Sequence, residues 1–293
     1  MLDQTRIIIV GMGLMGGSLA LALRGRTAHL IAIDNNPETL RQVQAANAAD
    51  STHTSLSNHI IRPDDLVILA TPVRSIMTLI EQLPTLAPDG CMVIDLGSTK
   101  RDICCAMELL PENIEAIGGH PMCGREVSGF SAALGELYQK QTFIMTPTGR
   151  TTPRLIALVR ELIDAIGSIP IIVPSDKHDH TLAMISHMPH VLSMLLMSGA
   201  AEWSDDAIPW HVSASAFAGM TRLAGSDPVM WRDIFITNRE AIIAHLQQYR
   251  ERLDGVVGML EAADPDRLTD WIGNAQSDYY VYRNEKEAFQ NQP

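Results

Sequence analysis

The chain has 293 residues, of which 46% are hydrophobic, and it carries a formal net charge of −12. Its length and apolar content are sufficient for two domains with packed cores. The acidic balance argues against a nucleic acid or an anionic membrane surface as partner, because both attract basic proteins. A small anionic substrate remains compatible with it, since such a ligand needs only a few local cations.

The cysteines and the apolar runs indicate a cytoplasmic, reducing setting. The four cysteines show no C-x-x-C spacing, so neither a disulfide framework nor a zinc site is expected. No signal-peptide pattern precedes the first apolar run, and no run is expected to reach the roughly 18 residues that a membrane span requires.

From residue 6 to about residue 173, short apolar runs alternate with amphipathic stretches. The runs predict strands at 6–10, 29–34, 65–72, 91–98, 114–121, 141–148 and 169–175. The stretches between them predict helices, for example 73–86 and 153–167. This alternation is typical of βαβ units and a mostly parallel sheet.

Beyond residue 173 the apolar residues recur with a helical period. Helices are predicted at 176–200, 233–262 and 265–288. We therefore expect two domains, an α/β domain over residues 1–173 and an all-helical domain over residues 174–293.

The segment GMGLMG follows the first predicted strand and opens a helix, which is the setting of a dinucleotide-binding loop. Gly11 would make the tight turn, Gly13 would let the backbone approach a pyrophosphate, and Gly16 would pack the helix against the strand. The loop residues expected to bind the cofactor are Gly11, Gly13, Leu14, Met15 and Gly16. The alternative is a glycine-rich turn of an ordinary α/β protein.

Asp34 ends the second predicted strand, 21 residues after Gly13. An acidic residue at this place accepts hydrogen bonds from the hydroxyls of the adenosine ribose, and it repels a 2′-phosphate. The sequence therefore predicts NAD rather than NADP as the cofactor.

Later strands place polar side chains at their carboxyl ends, where ligands bind in open α/β sheets. Thr71 and Pro72 should line the nicotinamide side of the cofactor. Ser98 and Lys100 follow the next strand, and His120 stands between two glycines and a proline at the end of another. A neutral histidine accepts a proton near pH 7. We expect His120 and Ser98 to be catalytic, with Ser98 also beside the cofactor.

Each of these residues also has a structural explanation. Ser98 could cap the following helix, Lys100 could be a solvated charge, and His120 could be a structural histidine. The neighbours of His120 favour a functional role, because glycine permits close approach of a ligand and proline fixes the turn.

Two further polar segments lie in the helical half. His187 and His190 are three residues apart and share a helix face, and Pro189 between them should kink the helix. We expect no metal here, because no acidic residue completes a ligand pattern; contact with a polar substrate is favoured.

The segment TRLAGSDPVMWRDI places Arg222 and Ser226 one turn apart if it is helical, and SDP predicts a cap and a helix start before Trp231. A buried arginine can hold a carboxylate with two parallel hydrogen bonds. The alternative is that Arg222 is a surface charge.

The segments GMGLMGGSLA, DLGSTK, GGHPMCGRE, SHMPH and TRLAGSDPVMWRDI resemble, in this order, the prephenate and arogenate dehydrogenases of tyrosine biosynthesis. The resemblance covers most of the chain from residue 6 to about residue 250. It implies a Rossmann-like NAD-binding domain followed by an all-helical domain that forms a homodimer. It also implies an oxidative decarboxylation: hydride passes from the ring carbon that bears the hydroxyl to NAD, and carbon dioxide departs.

The resemblance further implies roles for individual residues. His120 would take the proton of the ring hydroxyl, and Ser98 would orient the histidine and the hydroxyl. Arg222 would bind a substrate carboxylate, and Glu126 would order the arginine side of the pocket. The other expected substrate-binding residues are His187, His190, Ser226 and Trp231, with Ser226 and Trp231 coming from the same chain or from the partner in the dimer.

Two departures from the family pattern bear on the substrate. Arg125 stands where the family often has threonine, and it adds a positive charge beside the pocket. The segment AFAGMTR, which ends at Arg222, replaces a charged sequence that is frequent in the family. His190 agrees with the family pattern, and the resemblance implies through it a preference for prephenate over arogenate.

Two other functions agree with parts of the pattern. A β-hydroxyacid dehydrogenase or a pyrroline carboxylate reductase would have a similar domain order, but its chemistry would not need Ser98, His120 and Arg222 together. A dinucleotide-sensing protein without turnover would need none of the three.

Overall fold

A computed structural model describes residues 1–125, 127–202 and 208–290. Its strands are β1 (Arg6–Val10), β2 (His29–Ile33), β3 (Ser51–His53), β4 (Leu66–Leu69), β5 (Cys91–Asp95), β6 (Ile114–Pro121), β7 (Thr142–Pro147) and β8 (Ile169–Ile172). Within the described residues they form one sheet, in the order β3-β2-β1-β4-β5-β6-β7-β8. Neighbouring strands are parallel except β6 and β7, which are antiparallel. The predicted, mostly parallel sheet is confirmed.

Helices cover both faces of this sheet. They are α1 (Leu14–Leu23), α2 (Pro37–Ala45), α3 (Val73–Leu86), α4 (Arg101–Glu108) and α5 (Pro153–Ala165). Along β1, Ile7 and Ile9 pack into one apolar cluster with α1 and α5, whereas Ile8 and Val10 pack into another with α3 and α4. A strand that is buried on both faces is apolar at every position, which explains the continuous runs in the sequence.

The strand order changes direction at β1. The chain continues from β1 through β2 to β3 on one side, and it then returns to place β4 on the other side of β1. The connections after β1 and β4 therefore diverge, and a crevice opens at the carboxyl ends of these two strands. This is the edge at which the glycine loop and Thr71 lie.

The strand β3 was not predicted. Its three residues, Ser51–His53, are polar and partly exposed, and they pair with β2 at the edge of the sheet. A short polar strand has no apolar run that would identify it in the sequence. The strand β3 forms because its backbone pairs with β2.

The remaining described elements are helical. They are α6 (Ser175–Leu182), a π turn (Ala183–His187), α7 (Met188–Glu202), α8 (Ile208–Val212), α9 (Ser215–Thr221), a 3-10 turn (Arg222–Gly225), α10 (Pro228–Thr237), α11 (Arg239–Glu261) and α12 (Pro265–Gln290). The chain divides into two compact units, Met1–Ile242 and Ile243–Pro293. The α/β class with a helical region after the sheet is confirmed, whereas the domain boundary at residue 173 stays a prediction.

One helical stretch, Ser175–Glu202, is long and apolar enough to cross a membrane by length and composition. The expectation that no run reaches that length is therefore wrong. The stretch begins with α6, which packs against α4, and its polar residues His178, Asp179 and His187 are buried. Buried polar groups with hydrogen-bond partners are typical of a helix inside a folded domain.

Candidate active site at the carboxyl edge of the sheet

The glycine loop between β1 and α1 has the geometry of a phosphate-binding turn. Gly11 has φ +96°, and a Cβ atom there would lie 2.8 Å from the carbonyl oxygen of Ala70. A Cβ atom at Gly16 would lie 1.9 Å from the carbonyl oxygen of Gly11. Both positions therefore require glycine. A Cβ atom at Gly13 would meet no described protein atom within 4 Å, so the backbone there faces open space.

The N-terminus of α1 fits a pyrophosphate. Gly13 is the N-cap residue, and no side chain of the described residues caps this end. The first turn, which includes Leu14 and Met15, therefore presents N–H groups whose partial positive charge attracts an anion.

Groups that fit the rest of a dinucleotide lie on either side of the loop. Asp34 accepts hydrogen bonds from the backbone N–H groups of Met12, at 2.8 Å, and Asn36, at 2.9 Å. Each carboxylate oxygen keeps a second lone pair for a ribose hydroxyl. The hydroxyl of Thr71 is buried and has no partner among the described residues, and Pro72 beside it is the N-cap residue of α3. A buried unpaired hydroxyl in a ligand crevice is suited to a polar group of the ligand.

His120 lies at the carboxyl end of β6, where 8% of its surface is exposed. Its Nδ1 atom lies 2.9 Å from Nε2 of His178, and Nδ1 of His178 lies 2.7 Å from Oδ1 of Asp179. We call these residues the His120–His178–Asp179 chain. Ser98 is half-buried at the neighbouring strand end. Within the described residues no hydrogen bond joins it to His120, so the imidazole has a different partner from the one expected.

Asp179 also caps helix α4. Its Oδ1 atom accepts from the backbone N–H of Lys100 at 2.7 Å, and its Oδ2 atom accepts from that of Arg101 at 2.9 Å. The interpretation of Ser98 as the cap of this helix is therefore wrong, because a carboxylate from α6 supplies the cap. His178 and Asp179 were not predicted from the sequence. The available signal was a histidine–aspartate pair in the first turn after the last predicted strand.

Lys100 is not a solvated charge, so that interpretation is also wrong. Its side chain is fully buried and forms an ion pair with Asp95 at the end of β5. The carboxylate of Asp95 also accepts from the backbone N–H groups of Gly97, at 2.7 Å, and Gly119, at 3.1 Å. Since Gly119 directly precedes His120, these bonds fix the backbone that carries the imidazole.

The surroundings keep the imidazole of His120 neutral. Burial lowers the pKa of His120 well below its usual value, and the neighbouring His178 and Lys100 act in the same direction. Burial also lowers the pKa of His178, against the effect of Asp179. Burial opposes the ionisation of Asp179, yet the hydrogen bonds from His178 and from the backbone of Arg101 and Lys100 lower its pKa. A neutral imidazole beside an ionised carboxylate is able to accept a proton.

His187 and His190 face the same aromatic ring, which confirms the predicted shared helix face. The ring of His190 stacks on the indole of Trp231, and His187 meets that indole edge-on with the centroids 5.9 Å apart. His187 is buried, and its Nδ1 atom lies 3.1 Å from the amide nitrogen of Asn238. Trp231 therefore packs within its own chain. Within the described residues, no group of three or more histidine, cysteine or acidic side chains could hold a metal ion.

The π turn Ala183–His187 directly precedes α7, which begins one residue before Pro189, and the kink expected at this proline stays a prediction. Proline lacks an N–H group and its ring collides with a carbonyl of the preceding turn, and a wider turn relieves this collision.

Arg222 begins the 3-10 turn between α9 and α10, and it is exposed. This turn packs against α7, the helix that carries His190. Ser226 follows the turn in extended conformation, so Arg222 and Ser226 do not share a continuous helix. The side chain of Asp227 caps α10, which confirms the helix start predicted from SDP.

The segment after His120 carries two further residues of interest. Arg125 is exposed, and its guanidinium lies 3.4 Å from the carbonyl oxygen of Ala132. Glu126, expected to order the arginine side of the pocket, lies outside the described residues.

The carboxyl edge of the sheet thus combines a cradle for a dinucleotide, at β1 and β4, with a buried neutral imidazole at β6. Hydride transfer from an alcohol needs both a cofactor site and a proton acceptor. Two family models match the chain: residues 18–171 match the nucleotide-binding domain of prephenate dehydrogenase, and residues 174–274 match its dimerization domain. The chain belongs to the prephenate dehydrogenase family. The resemblance seen in the motifs is confirmed.

Individual relatives agree with this membership. The prephenate dehydrogenase of Bacillus subtilis (strain 168) is 29% identical over 276 residues, which span 92% of this chain and 74% of that protein. The crystal structure of prephenate dehydrogenase from A. aeolicus with hydroxyphenyl propionate and NAD+ has a TM-score of 0.88 and 27% identity, covering 96% of this chain and 99% of that one. Synechocystis arogenate dehydrogenase has a TM-score of 0.79 and 28% identity, covering 95% of this chain and 100% of that one.

Proposed function

We propose that His120 accepts the proton of the substrate hydroxyl in this enzyme. The protein is an NAD-dependent dehydrogenase that acts on prephenate or arogenate in tyrosine biosynthesis. The role of His120 is supported by its neutral imidazole, which is buried at the same sheet edge as the dinucleotide cradle. We propose prephenate as the preferred substrate, on the basis of His190.

The reaction breaks three bonds of the substrate. The ring carbon that bears the hydroxyl loses a hydride, which NAD accepts when bound, and the hydroxyl loses its proton to Nε2 of His120. The bond between the ring and its carboxylate then breaks, so that carbon dioxide leaves and the electron pair passes through the ring to the oxygen. The oxygen takes the proton back, and the product is a phenol. Ser98, at the neighbouring strand end, is proposed to orient the hydroxyl.

The cofactor is NAD, and we propose the residues that hold it. The pyrophosphate lies over the open backbone of Gly13 at the start of α1, and Asp34 binds the adenosine ribose. This arrangement favours NAD over NADP, because the carboxylate of Asp34 would repel a 2′-phosphate. The proposed contacts are Gly11, Gly13, Leu14, Met15, Gly16, Asp34, Thr71, Pro72 and Ser98.

For the substrate, we propose that Arg222 binds a carboxylate group. The turn that begins at Arg222 packs against α7, so this residue belongs to the same part of the fold as His190 and Trp231. Ser226 and His187 are proposed to shape the pocket beside this aromatic pair, and Glu126 to order the arginine side.

The chain contains a dimerization domain of its family. We propose a homodimer. Large apolar side chains of the unit Ile243–Pro293 are exposed and would suit a second copy of the chain; they include Leu253, Val257, Leu260, Trp271 and Ile272. We also propose a cytoplasmic location, with neither a membrane nor a nucleic acid as partner.

The first test is an assay of the purified protein with NAD and either prephenate or arogenate, which follows the absorbance of the reduced cofactor. Turnover with one or both is expected. His120→Asn should lower kcat by about 10² to 10⁴, the usual contribution of one acid–base group, while NAD binding persists. His59→Asn, at an exposed histidine before β4, is the matched control. A His120→Asn enzyme as fast as this control would refute the assignment, and NAD binding without turnover of either substrate would favour a sensor.

A further inference from the structure

The His120–His178–Asp179 chain is buried along its whole length. His120, His178 and Asp179 are 8%, 0% and 5% exposed. It runs from the carboxyl end of β6 to the N-terminus of α4. Because these side chains are buried, no bulk water competes for the hydrogen bonds between them. Its two distances, 2.9 Å and 2.7 Å, are those of well-formed hydrogen bonds.

Asp179 sets the direction of both bonds. Its carboxylate accepts from the backbone N–H groups of Lys100 and Arg101, and an ionised carboxylate can only accept. Nδ1 of His178 must therefore carry a hydrogen, and Nε2 of the same neutral ring holds a lone pair. Nδ1 of His120 must then donate to that lone pair, which leaves the Nε2 atom of His120 with a lone pair of its own.

We propose that His178 and Asp179 are positioning residues for the reaction: they hold His120 in the tautomer whose Nε2 atom accepts the substrate proton. The inference rests on the proposed role of His120. A neutral histidine without such a partner distributes its hydrogen over both ring nitrogens, and the tautomer with the hydrogen on Nε2 donates where the reaction needs an acceptor.

Hydrogen bonds from neighbouring elements hold this chain in place. The amide nitrogen of Asn238 donates to the backbone carbonyl of Asp179 at 2.7 Å. The hydroxyls of Thr99 and Thr237 lie 2.9 Å apart and join the β5–α4 connection to α10. Asp179 in α6 is therefore held from two sides, by Asn238 at its carbonyl and by the backbone of α4 at its carboxylate.

The charges around His120 come from several elements. A positive charge on His120 is opposed by His178, by Lys100 and by His187. Lys100 is itself paired with Asp95, and His187 lies in the π turn. Asp179 acts in the opposite sense through His178. When His120 takes a proton, the carboxylate of Asp179 stabilises the resulting imidazolium, so Asp179 contributes to the proton affinity as well as to the tautomer.

The test uses the full-length protein with Asp179→Asn. With the amide nitrogen in the place of Oδ1, the amide oxygen still accepts from the backbone N–H of Arg101, and the bond from Lys100 is lost. The amide N–H faces His178 and reverses both hydrogen bonds. The expected result is a fall in kcat on the order of 10²-fold with a change in KM below about threefold. The acid limb of the kcat/KM profile should move to lower pH, because a negative charge near His120 is removed. Ser51→Ala, which removes a hydroxyl 3.1 Å from Nε2 of His29 at the β2–β3 edge of the sheet, is the control and should leave both kcat and the acid limb unchanged.

A second pair of variants does not depend on the cap of α4. His178→Gln retains an acceptor for Nδ1 of His120 and should stay within about tenfold of the natural enzyme, the equivalent of one hydrogen bond. His178→Leu lacks the acceptor and should lose on the order of 10²-fold in kcat. Histidine labelled with ¹⁵N should show a pyridine-type Nε2 in His120, assigned by its loss in His120→Asn.

The outcomes separate the inference from the proposed function. If His120→Asn is inactive but Asp179→Asn and His178→Leu both turn over like the natural enzyme, the positioning role is wrong and the proton acceptor stands. A pyrrole-type Nε2 in His120 would also refute the positioning role. If His120→Asn remains active, the proposed function fails, and the inference fails with it.

Discussion

The imidazole of His190 stacks on the indole of Trp231, with the ring centroids 3.4 Å apart and the planes inclined by 24°. This pair joins α7, against which the turn that begins at Arg222 packs, to α10, which follows that turn in the chain. The aromatic pair beside which we propose the substrate pocket is thus itself a packing contact of the fold.

Trp231→Ala should therefore affect both stability and substrate binding. Trp231 is 6% exposed, and removal of a buried tryptophan costs about 3–5 kcal/mol of the free energy of unfolding. Urea denaturation measures this loss. Trp231→Phe keeps a ring for His190 and should lose less. Equal stability of the natural protein and Trp231→Ala would show that the stacked pair does not support the fold.

Acid should destabilise the protein through its buried histidines. Burial lowers the pKa of His187 from 6.5 to about 4, so between these values the unfolded chain binds a proton that the native chain does not. The stabilisation is complete above pH 6.5 and is lost as the pH falls towards 4, by about 3 kcal/mol for this residue. His187→Asn should reduce the slope of unfolding free energy against pH in this window. An unchanged slope would mean that His187 titrates alike in both states.

The glycine loop offers a matched pair of variants. Gly13→Ala places its Cβ in open space, so the free energy of unfolding should fall by no more than about 1 kcal/mol, yet NAD binding should weaken by about tenfold or more because the methyl group occupies the pyrophosphate position. Gly16→Ala collides with the carbonyl of Gly11 and should destabilise the loop itself. Calorimetric titration with NAD and thermal melting distinguish the two. Unweakened NAD binding by Gly13→Ala would place the pyrophosphate elsewhere.

Asp34→Asn should narrow the preference for NAD over NADP. The amide retains an acceptor for the backbone, but it no longer carries the charge that repels a 2′-phosphate. One charged hydrogen bond is worth about 1.5–3 kcal/mol, so the ratio of kcat/KM for NAD and NADP should fall by on the order of 10- to 100-fold. If this ratio stays constant, another residue determines the cofactor preference.

Lys100→Met should destabilise the fold, since it leaves the carboxylate of Asp95 buried without its cation. The expected loss is about 3–5 kcal/mol, measured by urea denaturation. The double variant with Asp95→Asn removes the uncompensated charge and should recover part of the loss. A double variant less stable than Lys100→Met would contradict the electrostatic explanation.

Much of the sheet could be predicted from local sequence. A strand buried on both faces, such as β4 (Leu66–Leu69), is apolar at every position, and a short apolar run bounded by turn residues is consistent with such a strand. Prediction failed at β3, because its three polar residues become a strand only by pairing with β2. It also failed for the apolar stretch beginning at Ser175, which is long and apolar enough to cross a membrane although His178, Asp179 and His187 within it are buried.

The residues of the site also divide into those that local sequence could predict and those that it could not. Gly11, Asp34 and His120 were predicted, because each lies at the carboxyl end of a strand and parallel strands end at one edge of the sheet. Lys100 was predicted to lie after a strand at this edge of the sheet. Its burial could not be predicted, because burial depends on the ion pair with Asp95 and on the packing of α4. Ser98 was a reasonable candidate for the cap of α4, but the carboxylate of Asp179 in α6 caps that helix.

The sequence by itself determined the sheet apart from β3, the glycine loop, the position of the imidazole at a strand end and the family to which the chain belongs. These features follow from backbone constraints and side-chain patterns over a few residues. Only the tertiary structure decided which groups touch that imidazole. His178 lies 58 residues from His120 along the chain, and the direction of a hydrogen-bond chain depends on its last acceptor, which folding brings from another helix.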